Sequence, residues 1–107
     1  MTESEIRKKA KEEIIKNKGI PWFTSKVKWK AESDIFGVWD GLIIYPPVIM
    51  IPIQLTTIGN IRAREKKIKK FLKDRGVEIF SQIWAYDKKQ KKFRVFNVYR
   101  QGLAKEN

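Results

Sequence analysis

Two apolar, β-branched runs, Val38 to Tyr45 and Val48 to Thr56, flank the pair Pro46-Pro47 in the middle of the chain. Runs of this length and composition about a proline break predict two neighbouring strands joined by a tight connection. Upstream the period changes. Ile6, Ala10 and Ile14 recur at a spacing of four behind the capping box Thr2-x-x-Glu5, which predicts a first helix from about residue 3 to 18, stopped at Gly19. Trp22 to Ala31 alternates loosely, with Trp22, Val27 and Trp29 among Thr24, Lys26, Lys28 and Lys30, and reads as a first strand centred on residues 26 to 31. Glu32-Ser33-Asp34 turns the chain into the hairpin. Beyond it, Asn60 is expected to cap a second helix whose apolar face is Ile61, Ile68 and Leu72 with Phe71 beside them, ending near Gly76. Val77 to Tyr86 and Phe93 to Arg100 predict two more strands, and residues 1–2 and about 101–107 are expected to fray.

The order helix, three strands, helix, two strands argues for an α/β protein. We expect one domain over 1–107, a sandwich with a central mixed sheet of about five strands flanked by helices.

Charge adds a partner to this picture. The formal net charge is +12, so the surface repels itself unless it meets a polyanion, for which nucleic acid and an acidic membrane are the usual choices. No stretch reaches the roughly 18 apolar residues of a membrane span, and Met1 opens a polar segment, so an intracellular, cytoplasmic protein is expected, in host cytoplasm if viral. Cysteine and histidine are both absent, which excludes disulfides, thiolate nucleophiles, imidazole-metal sites and Ser-His-Asp chemistry. The cations are grouped. Lys28 and Lys30 alternate with aromatics, Arg62, Lys66, Lys69, Lys70 and Lys73 project from the polar side of the second helix, and Lys88, Lys89, Lys91 and Lys92 cluster between the last two strands. On the helix, like charges four apart repel by a few tenths of a kcal/mol per pair, a strain that a phosphate backbone would relieve.

Asp40 is the exception inside the greasy hairpin. A carboxylate is a poor strand former and costly to bury without a partner or cation, and strands paired about the prolines bring Asp40 and Gln54 to the same end. That makes an oxygen-rich corner suited to a hard divalent cation. On the first helix, Glu13 and Asn17 project beside Ile6 and Ala10, so Glu13 is the acid that faces the sheet, whereas Glu12 points away. Without a cation Asp40 would be repelled by Asp34 and Glu13, and Asp40→Asn is then expected to leave the metal-free fold as stable or slightly more so.

Asp34, the turn Phe36-Gly37, Asp40 and Gln54-x-Thr56 resemble the PD-(D/E)xK nuclease superfamily, in its phage and archaeal Holliday-junction-resolvase-like branch. Ile53 to Thr57, Asn60, Arg64 and Lys67-Ile68 resemble a subset of small phage proteins whose third strand runs into a basic helix. The resemblance covers roughly Asp34 to Tyr99. It implies a restriction-endonuclease-like fold and a metal-dependent DNA endonuclease, structure-selective in this branch, that acts on duplex or branched DNA with Mg²⁺ or Mn²⁺; a homodimer is left open. Asp40 and Gln54 would then hold the metal, with Glu13 or Asp34 completing its shell. One departure stands out: Thr56 occupies the place of the motif lysine. Arg64 or Lys67 from the following helix would have to replace it, and the alternative is a nucleic-acid-binding protein on a nuclease fold that does not cut.

Overall fold

The computed structural model describes residues 2–24, 35–47 and 49–99 in full and the backbone of 102–106. Helix α1 spans Glu3–Lys16 and is capped by Thr2, whose Oγ1 accepts the Glu5 N–H at 3.2 Å; the Glu5 carboxylate accepts the Thr2 hydroxyl at 3.2 Å, a side-chain contact in place of the reciprocal backbone bond of a full capping box. The six strands are β1 (Ile20–Phe23), β2 (Gly41–Tyr45), β3 (Ile49–Thr57), β4 (Ser81–Asp87), β5 (Lys92–Tyr99) and β6 (Gly102–Glu106). Helix α2 spans Ile61–Arg75 and closes on Gly76, whose φ of 66° is the left-handed conformation that ends a helix without strain only in glycine.

The strands lie side by side in chain order, β1-β2-β3-β4-β5-β6. Every neighbouring pair is antiparallel except β3 and β4, which run parallel and are joined by the α2 crossover. The α/β sandwich with a mixed sheet expected from the sequence is the architecture found.

Alternation along the strands feeds two cores. On one face Ile43, Ile51, Ile53, Leu55, Trp84 and Tyr86 meet Ile6, Ala10 and Ile14 of α1. On the other, Ile83 and Val98 meet Ile68 and Leu72 of α2, with Val38 and Trp39 from the turn before β2. Residues 51–56 of β3 are buried throughout, the pattern of a strand covered on both sides. Gln54 and Thr56 point to the side opposite Ile53 and Leu55, so their polar groups lie beneath α2 rather than α1. Gly41 is fixed by the β1–β2 contact, since a Cβ there would lie 2.3 Å from the Trp22 carbonyl oxygen.

Several boundaries differ from the sequence expectation. The first strand is β1 at Ile20–Phe23; the stretch 26–31 lies outside the described residues. Asn60 makes no side-chain cap, because a 3-10 turn over Ile58–Asn60 leads into α2 and the Asn60 amide donates to Thr57 Oγ1 instead, at 3.3 Å. Residues 77–80 carry no strand pairing, and the tail expected to fray contributes β6. No helix among the described residues is long and apolar enough to cross a membrane.

Candidate functional site

Asp40 directly precedes β2, and the register Gly41↔Ile53 sets it opposite Gln54 on β3. Its backbone is held on both sides: its N–H donates to the Ile53 carbonyl at 2.8 Å, and its carbonyl accepts from the Thr24 N–H at 3.0 Å. The carboxylate is buried, at 4% exposure, and so is Gln54. Asp40 Oδ2 accepts the Leu55 backbone N–H at 2.7 Å and the Gln54 side-chain Nε2–H at 2.9 Å. Arg7, from the second turn of α1, brings its Nη2 to 3.8 Å from Oδ1. The same guanidinium donates to the Thr24 carbonyl, stands 5.5 Å over the Phe23 ring and has Glu3 Oε1 3.8 Å from its Nε. A buried carboxylate is tolerable when paired and hydrogen-bonded in this way.

The sequence reading missed Arg7 as the partner of Asp40, although the signal was there. At 100° per residue Arg7 stands only about 20° from Ile14 around the helix, at the edge of the apolar stripe. Glu13 stands about 120° from Arg7 and roughly 9 Å farther along the axis, so it cannot share a site with Arg7 and Asp40. It is exposed and lines clefts with Tyr45, Tyr86 and Phe93, and Tyr45 lies at the far end of β2 from Asp40. Burial and, to a smaller extent, the Glu13 charge raise the Tyr45 phenol above its ordinary pKa of 10.0.

Of the cations expected to replace the motif lysine, Lys67 is exposed, and Arg64 is half-buried with its Nε enclosed and without a hydrogen-bond partner. The cation placed on Asp40 comes from α1 instead. Asp34 lies outside the described residues. The donor set therefore fits a buried ion pair better than Mg²⁺ or Mn²⁺: both oxygens of Asp40 face N–H groups, Gln54 turns its amide nitrogen to the carboxylate, and Glu13 is elsewhere. Among the described residues no cluster of three carboxylates could hold an ion. Two acceptors in this region stay unused, since Gln54 Oε1 and Thr56 Oγ1 are buried without a hydrogen-bond partner.

The basic surface is more selective than the sequence suggested. Glu65 of α2 is buried at 6% exposure, with Lys69 Nζ 3.3 Å and Arg62 Nη1 3.4 Å from its carboxylate oxygens. Lys70 Nζ lies 2.7 Å from Asp74 Oδ2. These carboxylates relieve much of the like-charge repulsion on the helix, so an external phosphate is not needed to explain Lys69 or Lys70. Lys66 and Lys73 remain exposed, as do Lys88, Lys89, Lys91 and Lys92 in the β4–β5 turn. That turn is ordered by Asp87, whose Oδ1 accepts the N–H groups of Lys89 and Gln90 at 2.9 and 3.2 Å. Lys28 and Lys30 lie outside the described residues.

Because β3 and β4 are parallel, their carboxyl ends coincide. The start of β2, the start of α2 and the β4–β5 turn gather there, the end of an α/β sheet at which ligands usually bind. A cleft of about 420 Å³ opens at that end between Thr57–Gly59 and Tyr86–Lys89. A second, of about 410 Å³, separates α1 from the β4–β5 hairpin and is lined by Lys9, Lys16, Lys91 and Lys92 with Glu12, Glu13, Tyr86 and Phe93. No family model, no curated protein and no solved structure matches this chain.

Proposed function

We propose that this chain is a nucleic-acid-binding protein that holds its ligand at the carboxyl ends of β3 and β4 and does not cleave it. The observation that carries the non-cleaving part is the Arg7 guanidinium 3.8 Å from the Asp40 carboxylate, whose second oxygen accepts from Leu55 and Gln54. A carboxylate neutralised from within the chain has little charge left to offer a metal. The binding part rests on the net charge of +12 and on exposed lysines around one end of the sheet. The reading keeps the nuclease resemblance as a scaffold, with Asp40 at the head of β2, Gln54 on β3, and Thr56 where the motif lysine would stand.

The test is duplex and branched DNA binding in EDTA over a range of salt. If about six of the exposed lysines meet phosphates, log K should fall against log salt with a slope near −5, and Lys88→Gln with Lys89→Gln should flatten it by about two. A slope near zero removes nucleic acid as the partner. Incubation of the same DNA with Mg²⁺ or Mn²⁺ should give no cleavage.

The unused oxygens of Gln54 and Thr56 favour a second reading, the metal-dependent endonuclease. In that reading a divalent cation displaces Arg7 and takes Asp40 and Gln54 as ligands. A melting temperature that climbs with Mn²⁺ in the parent but not in Asp40→Asn, together with cleavage, would establish it in place of the first.

A further inference from the structure

Resting on the nucleic-acid reading above, we propose that the trough between α1 and the β4–β5 hairpin takes an unpaired nucleotide, so that the preferred ligand is a single strand or the open part of a branched one. The trough has two parts. One part, of about 410 Å³, sets Lys9 and Lys16 of α1, with Glu12 and Glu13 between them in sequence, across from Lys91 and Lys92 of the hairpin. It shares Glu13 and Phe93 with a second part of about 200 Å³, lined also by Asn17, Tyr45, Gln82, Trp84 and Val95.

These walls divide the labour of holding a nucleotide. Cations on both lips neutralise a phosphate that runs along the opening. Phe93, half-buried between the two parts, offers a ring to a base. Its orientation is set by its aromatic neighbours, Tyr86 at 5.2 Å and 68° and Trp84 at 5.4 Å and 57° between ring planes. Trp84 is itself held, since its Nε1–H donates to Gln82 Oε1 at 3.0 Å and the Gln82 amide donates to Asn97 Oδ1 at 3.1 Å. A platform locked in this way loses little freedom when a base stacks on it. The Glu13 carboxylate, where the two parts join, and the Tyr45 hydroxyl, beyond it, can then meet a base edge, which presents amino and carbonyl groups.

The recess selects against a duplex. Inside a double helix both faces of each base are covered by its neighbours, so only a base that has left the stack can lie on a ring set in the cleft between α1 and the hairpin. The exposed lysines of α2 and of Lys88 and Lys89 would track the phosphates of either form, and the trough adds the discrimination.

The experiment is fluorescence anisotropy in EDTA with a labelled mixed-sequence single strand and the duplex made from it, for the parent and for Phe93→Leu, which keeps apolar volume against the core and removes the ring. The parent should bind the single strand at least ten-fold tighter than the duplex. Phe93→Leu should weaken the single strand about ten-fold, the scale of one lost base stack, and leave the duplex unchanged. Equal affinity for the two forms, or equal effects of the variant on both, overturns the trough and leaves the proposed function standing; failure to bind either form overturns both. Photocrosslinking of a 5-iodouracil-containing strand to the unmodified protein needs no variant and should mark Phe93 or Tyr86. Crosslinks confined to α2 overturn the proposal. Displacement of the strand by micromolar mononucleotide also overturns it, because the ligand would then be a free nucleotide.

Discussion

Replacing Asp40 by Asn separates a structural ion pair from a carboxylate that waits for a metal. Asn keeps the shape. With its oxygen at the place of Oδ2 it can still accept from Leu55 and Gln54, but its amide N–H groups then face the Arg7 guanidinium, donor against donor. Removing one member of a buried pair typically costs about 3–5 kcal/mol. The cost here should be lower, because the Arg7–Asp40 contact is 3.8 Å and Arg7 keeps the Thr24 carbonyl and Glu3. We expect a loss of about 2–3 kcal/mol, which for a domain of this size lowers the melting temperature by roughly 10–20 °C. Arg7→Met, which strands the carboxylate instead, should cost a similar amount. The double variant should recover about 1.5–2 kcal/mol of the sum, since neither charge is then unpaired. Urea unfolding of all four proteins at pH 7 in EDTA measures the cycle. Asp40→Asn at or above the parent stability, the outcome expected for a carboxylate repelled by other acids, would refute the ion-pair account.

Other changes probe the frame. Gly41→Ala places a methyl 2.3 Å from the Trp22 carbonyl oxygen and should cost about 3 kcal/mol or more, whereas Gly76→Ala enters open space at a φ of 66° and should cost only about 1–2 kcal/mol; urea midpoints that fail to separate the two refute the close approach of β1 and β2. Lys69→Met leaves the buried Glu65 with only the largely exposed Arg62 and should destabilise by about 1–2 kcal/mol, while Lys66→Met should stay within about 0.5 kcal/mol, both read by thermal melts. Since Tyr45 titrates above 10.0 in the fold, the unfolded chain ionises first. Its contribution is present below pH 10 and is lost as the pH rises through the folded value, and Glu13→Gln should bring the phenol's ultraviolet titration back toward 10; an unchanged titration would refute the coupling.

The elements whose apolar residues keep a strict period were legible in the sequence. Ile6, Ala10 and Ile14 marked α1, Ile68 and Leu72 marked α2, and the β-branched runs about the prolines marked β2 and β3. β1 was not legible because Ile20-Pro21-Trp22-Phe23 is too short to show alternation, and the strand expected over 26–31 lies outside the described residues. The site was half legible. Asp40 stood out as a charge in an apolar strand, and it is buried and opposite Gln54, the neighbour that pairing about the prolines gave it. What neutralises Asp40 went unread, because charged residues are assigned to solvent by default and the helical position of Arg7, like that of Glu65, was not weighed against that default. Glu13 was misplaced for a geometric reason: a helical projection gives the direction around an axis but not the height along it, and height decides which end of β2 the side chain meets.

The layout of the sheet also bears on how the chain folds. Since the strands lie in chain order, the β2–β3, β4–β5 and β5–β6 pairings join segments a few residues apart and form on the microsecond scale of hairpin closure. The β1–β2 and β3–β4 seams close across longer connections, residues 24–40 and 58–80. The parallel β3–β4 pair must await the whole of α2, so it carries the largest loop-closure entropy in the sheet and is the natural bottleneck. Substitutions along that seam, such as Ile53→Val or Ile83→Val, should then slow folding, while equal losses at the β1 edge should mainly hasten unfolding. The α2 segment, whose surface carries several of the exposed lysines, is thus also the tether that joins an N-terminal hairpin sheet to a C-terminal one, and its length and helicity set how fast the two halves meet.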